Sequence, residues 1–432
     1  MIIKKNYNSK IPIILLVIFT ELIIGGLGRL FYFPLRISLF IFAFIYALLY
    51  AYKKKIVIPR YIILGILSLF LYCLSGVLIG VFRGNSLKIS LKDITNFISI
   101  LYVIVFIICI NYDRNILYKL IKLFRMYVFC LSIVTISIFI WSYFAKYLGI
   151  DAIQTLVNFK EKTNYGFITG WLYDMKFARV YFANGIYMQI SLSLVISDIL
   201  KFKEKKYYIE AMILMLAIFS SGTRGYWLGS FLVIVMHFII AKNINKFKLI
   251  KIGITILLIL IPLLIIVPEK ELILDRLFSI TDFENDISNN IRSIQIECLN
   301  EEIKKHPIIG GGFGSSLTNY EKITGRDGLN VEVYYLELLY KTGIIGIIVI
   351  LYLLLTIFIK TYRLILNNYL YDDDKQLLNA WMISVISVII VGISNPYMKG
   401  AFGVFILDML IIMNIVFEFN INKNNYIKKE KI

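Results

Sequence analysis

Charged residues are scarce in this chain. They account for 17% of its 432 residues, whereas 59% are apolar, and a soluble domain of ordinary composition carries about a quarter charged residues. This balance excludes an ordinary soluble domain and indicates an integral membrane protein. The net charge of +18 does not indicate a nucleic-acid partner, because the basic residues collect in short segments between apolar stretches, as membrane topology signals do.

Cysteine is rare as well, and its four positions exclude a disulfide framework. Cys73, Cys109 and Cys130 lie within apolar stretches, where a thiol behaves as a small apolar group. Cys298 stands alone in a polar segment, without the spacing of a metal ligand. The chain also lacks a Walker loop, a dinucleotide fingerprint and an H-E-x-x-H motif. We therefore expect neither a metal nor an organic cofactor.

Long apolar stretches dominate the remainder. A helix needs about 20 apolar residues to cross the hydrocarbon core of a bilayer, and twelve stretches reach that length, some of them only approximately. These stretches are 11–28, 30–51, 61–82, 94–111, 124–145, 181–200, 207–221, 225–241, 249–268, 337–359, 378–394 and 401–418. No A-x-A-like cleavage site follows the first stretch, so we expect an uncleaved anchor. The sequence predicts an all-α integral membrane protein with about 12 transmembrane helices.

Lysine and arginine indicate the orientation of these helices. If the N-terminus is cytoplasmic, the short inner segments hold 26 of the 46 basic residues. The inner segments are 1–10, 52–60, 112–125, 201–206, 242–251, 360–375 and 419–432. The positive-inside rule then predicts that both termini lie in the cytoplasm.

The predicted topology divides the chain into five parts. Helices 1–5 occupy 1–145, an extracytoplasmic loop 146–180, and helices 6–9 occupy 181–268. A large extracytoplasmic loop follows at 269–336, and helices 10–12 with a cytoplasmic tail occupy 337–432. We expect the protein in the cytoplasmic membrane, with an active site that faces outward.

The large loop holds arginines, carboxylates, a histidine and the glycine-rich turn GGGFG. The outer face of the membrane has no ATP or nucleotide sugar, so an enzyme there must use a substrate that is already activated. The glycines follow a polar helix and precede no strand, which does not favour a phosphate-binding loop. The loop is therefore typical of an enzyme that acts on a charged substrate anchored in lipid.

Three arginines are candidates for binding an anionic group. Arg224 lies at the end of one apolar stretch and has no acidic residue within ten positions. It is either an interfacial anchor or an anion ligand, since a guanidinium donates bidentate hydrogen bonds to phosphate. Arg179 precedes an apolar stretch and has the same two interpretations. Arg292 belongs to a short amphipathic helix predicted at 288–305, next to its apolar stripe, which favours an inward orientation over a solvated one.

Other candidates lie around the return of the chain into the membrane. Glu332 stands at a polar-to-apolar boundary, where a carboxylate either has a raised pKa or pairs with an arginine; it is a candidate general base or a helix-start carboxylate. His306 could be a base at neutral pH, but its position before Pro307 is also typical of a helix end. Tyr335 could stack on a sugar face or belong to an interfacial aromatic belt.

Taken together, these motifs resemble the O-antigen polymerase and O-antigen ligase family. The pieces that carry the resemblance are RVYFAN, SSGTRGYWLG, the RL pair at Arg276, HPIIGGGFG and YLELLYKTGIIG, from Arg179 to about Gly346. The resemblance implies a polytopic helical enzyme that acts on undecaprenyl-diphosphate-linked oligosaccharides. It also implies that Arg224 and Arg292 hold the diphosphate and that Arg179, Arg276, His306 and Tyr335 bind substrate.

The resemblance leaves the branch of the family open. In ligases a His-Asn pair precedes the return helix, whereas this chain has Glu332 and Val333, which favours a polymerase with Glu332 as the base. The alternatives are a ligase that moves finished glycan to another acceptor, and a lipid-linked oligosaccharide flippase. The expected partners are membrane lipid and other polysaccharide-assembly proteins, such as a chain-length regulator.

Overall fold

The computed structural model describes residues 10–25, 28, 33–163, 165–172, 177–202, 204–240, 287–329, 331–393 and 395–429. The predicted ninth stretch, 249–268, and the candidate residue Arg276 lie outside these residues.

Helices form most of the described chain. In the first part of the chain they are α1 (Ile13–Ile24), α2 (Leu35–Lys54), α3 (Arg60–Phe82), α4 (Leu87–Ile98), α5 (Tyr102–Ile110), α6 (Arg114–Tyr147) and α7 (Ala152–Thr163). Two strands follow, β1 (Phe167–Leu172) and β2 (Phe177–Phe182). The remaining helices are α8 (Tyr187–Lys201), α9 (Lys205–Ser220), α10 (Arg224–Ile240), α11 (Ile287–Lys305), α12 (Thr318–Thr324), α13 (Tyr334–Leu366), α14 (Asp372–Val391) and α15 (Ala401–Lys429).

Local sequence accounts for several helix ends. Pro12, Pro34 and Pro59 directly precede α1, α2 and α3, where the missing amide hydrogen costs nothing and the fixed φ suits a first turn. Three aspartates occupy the first turn of α14, where the helix dipole favours negative charge.

The helical membrane architecture predicted from the sequence is confirmed. Eleven of the twelve predicted stretches coincide with helices of the described residues. Seven of these helices are long and apolar enough to cross a membrane, or eight if the bent pair α4 and α5 forms one span. Helices α1 and α10 are apolar but shorter, so the count of twelve remains a prediction.

Burial divides the helices into an inner and an outer group. Helices α8, α14 and α15 have 89%, 67% and 72% of their most apolar window buried, whereas α2 and α13 have 11% and 17%. Trp381, Tyr187 and Phe405 pack in the centre of the inner group. The exposed leucines and isoleucines of α2 and α13 are therefore the surface that faces lipid.

Ion pairs connect the predicted inner segments at one end of the bundle. Arg114 pairs with Asp374 at 2.8 Å, and Lys360 pairs with Glu418 at 2.7 Å. At the opposite end the outer ends of two predicted stretches, 11–28 and 181–200, meet: Asn184 Nδ2 donates to the carbonyl of Ile23 at 2.7 Å. The two ends thus agree with the predicted division of the segments, while their orientation in the membrane remains a prediction.

The segment 146–180, which is predicted to be extracytoplasmic, contains more structure than the sequence analysis predicted. Helix α7 precedes an antiparallel hairpin in which Gly170 lies opposite Arg179. Ala178, Val180 and Phe182 are buried, so the alternate residues of β2, Arg179 and Tyr181, share the other face of the strand.

Candidate active site

An ion pair joins the two parts of the large loop. Arg292 on α11 donates from Nε to Oε2 of Glu332 at 3.0 Å, and the two side chains are 21% and 41% exposed. The predicted helix at 288–305 is present as α11, and the inward orientation of Arg292 remains a prediction. Glu332 takes the arginine partner that its position at the membrane boundary suggested. A carboxylate and a guanidinium in one partly open site can act on both a proton and an anion.

A second contact fixes Glu332 from the backbone side. Its amide donates to Oε1 of Gln295 at 3.0 Å, and Gln295 Nε2 donates to Oη of the buried Tyr320 at 3.2 Å. Behind them Cys298 and Leu299 pack in a small apolar core. This core holds α11 against the start of α13, so the carboxylate and the arginine are set by packed elements and not by a free loop.

A stack of tyrosines lies beside this pair. The rings of Tyr181 and Tyr226 are 5.4 Å apart, and those of Tyr226 and Tyr397 are 5.6 Å apart. Tyr397 begins the 3-10 turn Tyr397–Lys399 between α14 and α15. Burial raises the pKa of Tyr397 well above its ordinary value, Tyr181 raises it further, and the positive charge of Arg292 opposes the shift. The charge of Arg292 therefore reaches Tyr397, which lies at one end of this stack.

The other two candidate arginines border the same stack. Arg224 begins α10, and its neighbour Gly225 lies so near Tyr397 that an added Cβ would come within 2.6 Å of Oη. Arg179 lies on the face of β2 that carries Tyr181. Residues distant in sequence thus converge from β2, α10 and α11 around three aromatic rings.

The remaining candidates lie elsewhere. His306 follows the last residue of α11, and its side chain is exposed, as expected for a residue at a helix end. Tyr335 is in the first turn of α13, where its hydroxyl donates to the carbonyl of Ile389 at 2.7 Å.

The sequence analysis did not identify a buried ionic cluster on the other side of α13. Lys341 Nζ lies 2.8 Å from Asp93 Oδ2 and 2.7 Å from Glu337 Oε1. Lys399 Nζ donates to both carboxylate oxygens of Glu337 at 2.8 Å. We call Asp93, Glu337, Lys341 and Lys399 the ionic quartet. In the sequence, this cluster is indicated by the spacing of Glu337 and Lys341, which lie one helical turn apart in an apolar stretch.

The glycine-rich turn serves packing. The amides of Gly311 and Gly312 donate to the carbonyls of Tyr340 and Lys341, at 2.7 and 2.8 Å, and the amide of Gly314 donates to Asp93 Oδ2 at 2.8 Å. Gly312 has φ +86, and an added Cβ would lie 2.1 Å from the backbone nitrogen of Gly80 on α3. Because these amides bond protein acceptors, they do not form an anion cradle.

A break in α13 receives the other side of this turn. Gly343 has φ 64 and ψ −174 inside the helix, and the next two amides, of Ile344 and Ile345, donate to the carbonyls of Pro307 and Ile308. A positive φ at this point favours glycine. The turn therefore fastens the large loop to α3, α4 and α13 in one place.

Comparison with known proteins bears on the identity of this site. The sequence profile of the family described as O-antigen ligase matches residues 210–351, a range that includes Arg224, Arg292 and Glu332. The chain is also 27% identical over 418 residues to an O-antigen polymerase of Shigella flexneri, which covers 94% of this chain and 95% of that protein. In its helical membrane architecture and in these matches, the chain is similar to the O-antigen polymerase and O-antigen ligase family.

Proposed function

We propose that this protein is a polymerase that joins oligosaccharide repeat units carried on undecaprenyl diphosphate, at the outer face of the cytoplasmic membrane. The product would be an O-antigen, a capsule or a similar surface polysaccharide. The Arg292–Glu332 ion pair carries this proposal, because it joins a proton acceptor to an anion ligand in one site. The relative named O-antigen polymerase matches nearly the whole chain and supports the polymerase branch.

In the proposed reaction, a hydroxyl of one lipid-linked unit attacks the anomeric carbon of the growing chain. The new bond is a glycosidic C–O bond, and the bond that breaks joins the anomeric carbon to the diphosphate oxygen. Glu332 accepts the proton of the attacking hydroxyl. The electron pair of the broken bond leaves with the lipid diphosphate.

The ion pair suggests the order of these events. In the structure, Oε2 of Glu332 is engaged by Nε of Arg292 at 3.0 Å. A diphosphate that takes the guanidinium of Arg292 would release Glu332 at the moment when a base is needed. The site would then be held in an inactive pairing until the donor binds.

Electrostatic stabilisation of the leaving group is the second part of the mechanism. The departing diphosphate gathers negative charge in the transition state, and fixed cations that face this charge lower the barrier. Arg292 and Arg224 would supply these cations, with Arg179 on β2 as a further ligand. Because arginines can neutralise the charge, the proposed reaction requires no metal.

A ligase is the second candidate, since the matching profile is described as O-antigen ligase. Analysis of surface glycan from a strain that lacks the gene separates the two. A polymerase mutant should attach single repeats to the surface, and the intact gene should restore long chains. Complete loss of attached glycan would contradict the proposal and indicate a ligase or a flippase.

A further inference from the structure

An apolar groove runs along the bundle between α3, α13 and α15. Its volume is about 250 Å³, and apolar side chains such as Ile66, Leu353 and Ile411 form most of its wall. Gly65 on α3 contributes no side chain, and no atom lies within 4 Å of the position that its Cβ would occupy. The groove is therefore open in front of this glycine.

Polar contacts close the groove at the predicted cytoplasmic end. Tyr61 Oη donates to Glu418 Oε2 at 2.8 Å, and Lys360 Nζ pairs with the same carboxylate at 2.7 Å and lies over the Tyr61 ring. An apolar molecule in the groove therefore cannot extend past this end into water.

The other end of the groove reaches the 3-10 turn at Tyr397–Lys399. Met398 and Tyr335 line the groove there. The residue before Met398 is Tyr397, whose pKa Arg292 influences, and the residue after it is Lys399 of the ionic quartet. One short turn thus separates an apolar groove from a group of arginines. An occupant with an apolar chain and an anionic head fits this combination.

The length of the groove distinguishes between two kinds of anionic lipid. Along α15 it extends from Val404 to the closure at Glu418, which is roughly 21 Å at the rise of an α-helix. An acyl chain of a phospholipid covers one leaflet, or about 15 Å of the roughly 30 Å hydrocarbon core. The groove is longer than this, which favours a segment of a long polyprenyl chain over the acyl chain of a phospholipid.

We infer that this groove holds the polyprenyl chain of a lipid-diphosphate substrate whose head lies at the arginines. The inference rests on the proposed function, because it assumes a substrate with a polyprenyl diphosphate. It adds the path of the chain, which is bounded by α3, α13 and α15 and passes Gly65.

Gly65→Leu tests the inference, because its Cβ would stand in open space at the wall of the groove and leucine favours a helix more than glycine does. Undecaprenyl diphosphate and the much shorter farnesyl diphosphate serve as probes of binding to the purified full-length protein. We expect Gly65→Leu to weaken binding of the long probe by about tenfold, or about 1.4 kcal/mol, and to leave the short probe unchanged. Ser68→Leu, on the exposed face of the same helix, is the control and should bind both probes like the unaltered protein.

Unchanged binding of the long probe in Gly65→Leu would overturn the inference, as would equal displacement of that probe by phosphatidylglycerol. These measurements involve no sugar transfer, so they separate the inference from the proposed function. If the protein bound the long probe selectively but made no polymer, the proposed polymerase function would be wrong and the groove assignment would stand. If Gly65→Leu still polymerised and kept the same preference for the length of the lipid chain, the groove assignment would be wrong and the polymerase function would stand.

Discussion

Arg292 and Glu332 are 40 residues apart in sequence, yet Nε of the arginine and Oε2 of the glutamate are 3.0 Å apart. The contact joins the helix in the large loop to the start of the helix that returns to the membrane. It places a cation and a proton acceptor in one site, beside a stack of three tyrosines.

Replacing Glu332 by glutamine removes the proposed base and keeps its size and most of its hydrogen bonding. Loss of general-base help typically costs about 10²–10⁴-fold in rate. We expect chains to stop at one or a few repeats while lipid-linked single units accumulate, as measured by gel analysis of surface glycan and of extracted lipid. Glu297→Gln, at an exposed position of α11, should have no effect. Full-length chains in Glu332→Gln would show that the base lies elsewhere.

Replacing Arg292 or Arg224 by alanine should abolish polymer without lowering the amount of protein in the membrane. The loss of a donor that faces developing charge costs about 10²–10³-fold in rate. Lysine should restore only part of the activity, because a point charge does not reproduce the bidentate guanidinium. Immunoblots of the membrane fraction control for expression. Normal chain lengths in Arg224→Ala would identify this arginine as an interfacial anchor.

His306→Ala should reduce polymer only mildly. The side chain of His306 is exposed at the end of α11, away from the Arg292–Glu332 pair. Chain-length profiles of His306→Ala and Glu332→Gln in one strain compare the two residues directly. An inactive His306→Ala beside an active Glu332→Gln would move the base into the loop and refute the role given to Glu332.

The sequence predicts some parts of this arrangement and not others. The apolar stretches predict most helices because about 20 apolar residues in a row leave few alternatives. Arg292 and Glu332 could each be chosen from their positions at the polar boundary. Their pairing could not, because it depends on how α11 packs on α13.

Two features were missed for a related reason. The hairpin strands 167–172 and 177–182 are rich in aromatic and β-branched residues, but the sequence between them contains neither Gly nor Pro to mark a turn. The ionic quartet joins Asp93 on α4 to Lys341 on α13, and only the Glu337–Lys341 spacing is visible in sequence. Contacts between segments that are distant in sequence can be identified only when the fold is known.

The predicted orientation is tested by reporter fusions after Lys160 and after Glu302. Both positions belong to segments that the positive-inside rule assigns to the outer face. An alkaline phosphatase reporter, which is active only outside the cytoplasm, should be active at both, and a fusion after Lys54 should be inactive. A cytoplasmic signal at Lys160 or Glu302 would reverse the topology and remove the proposed active site from the outer face.

The ionic quartet predicts a test of stability. Lys341 contacts both Asp93 and Glu337, so Lys341→Met leaves buried carboxylates with less compensation, and breaking such a buried pair typically costs about 3–5 kcal/mol. Thermal unfolding in detergent should show this loss.

The double variant Asp93→Asn with Lys341→Met removes one charge of each sign and keeps the Glu337–Lys399 pair, so much of the stability should return. Lys305→Met, at a pair where the lysine is 58% exposed, should change stability very little, because solvent screens a surface ion pair. If Lys341→Met and Lys305→Met behaved alike, the quartet would contribute no more than a surface ion pair.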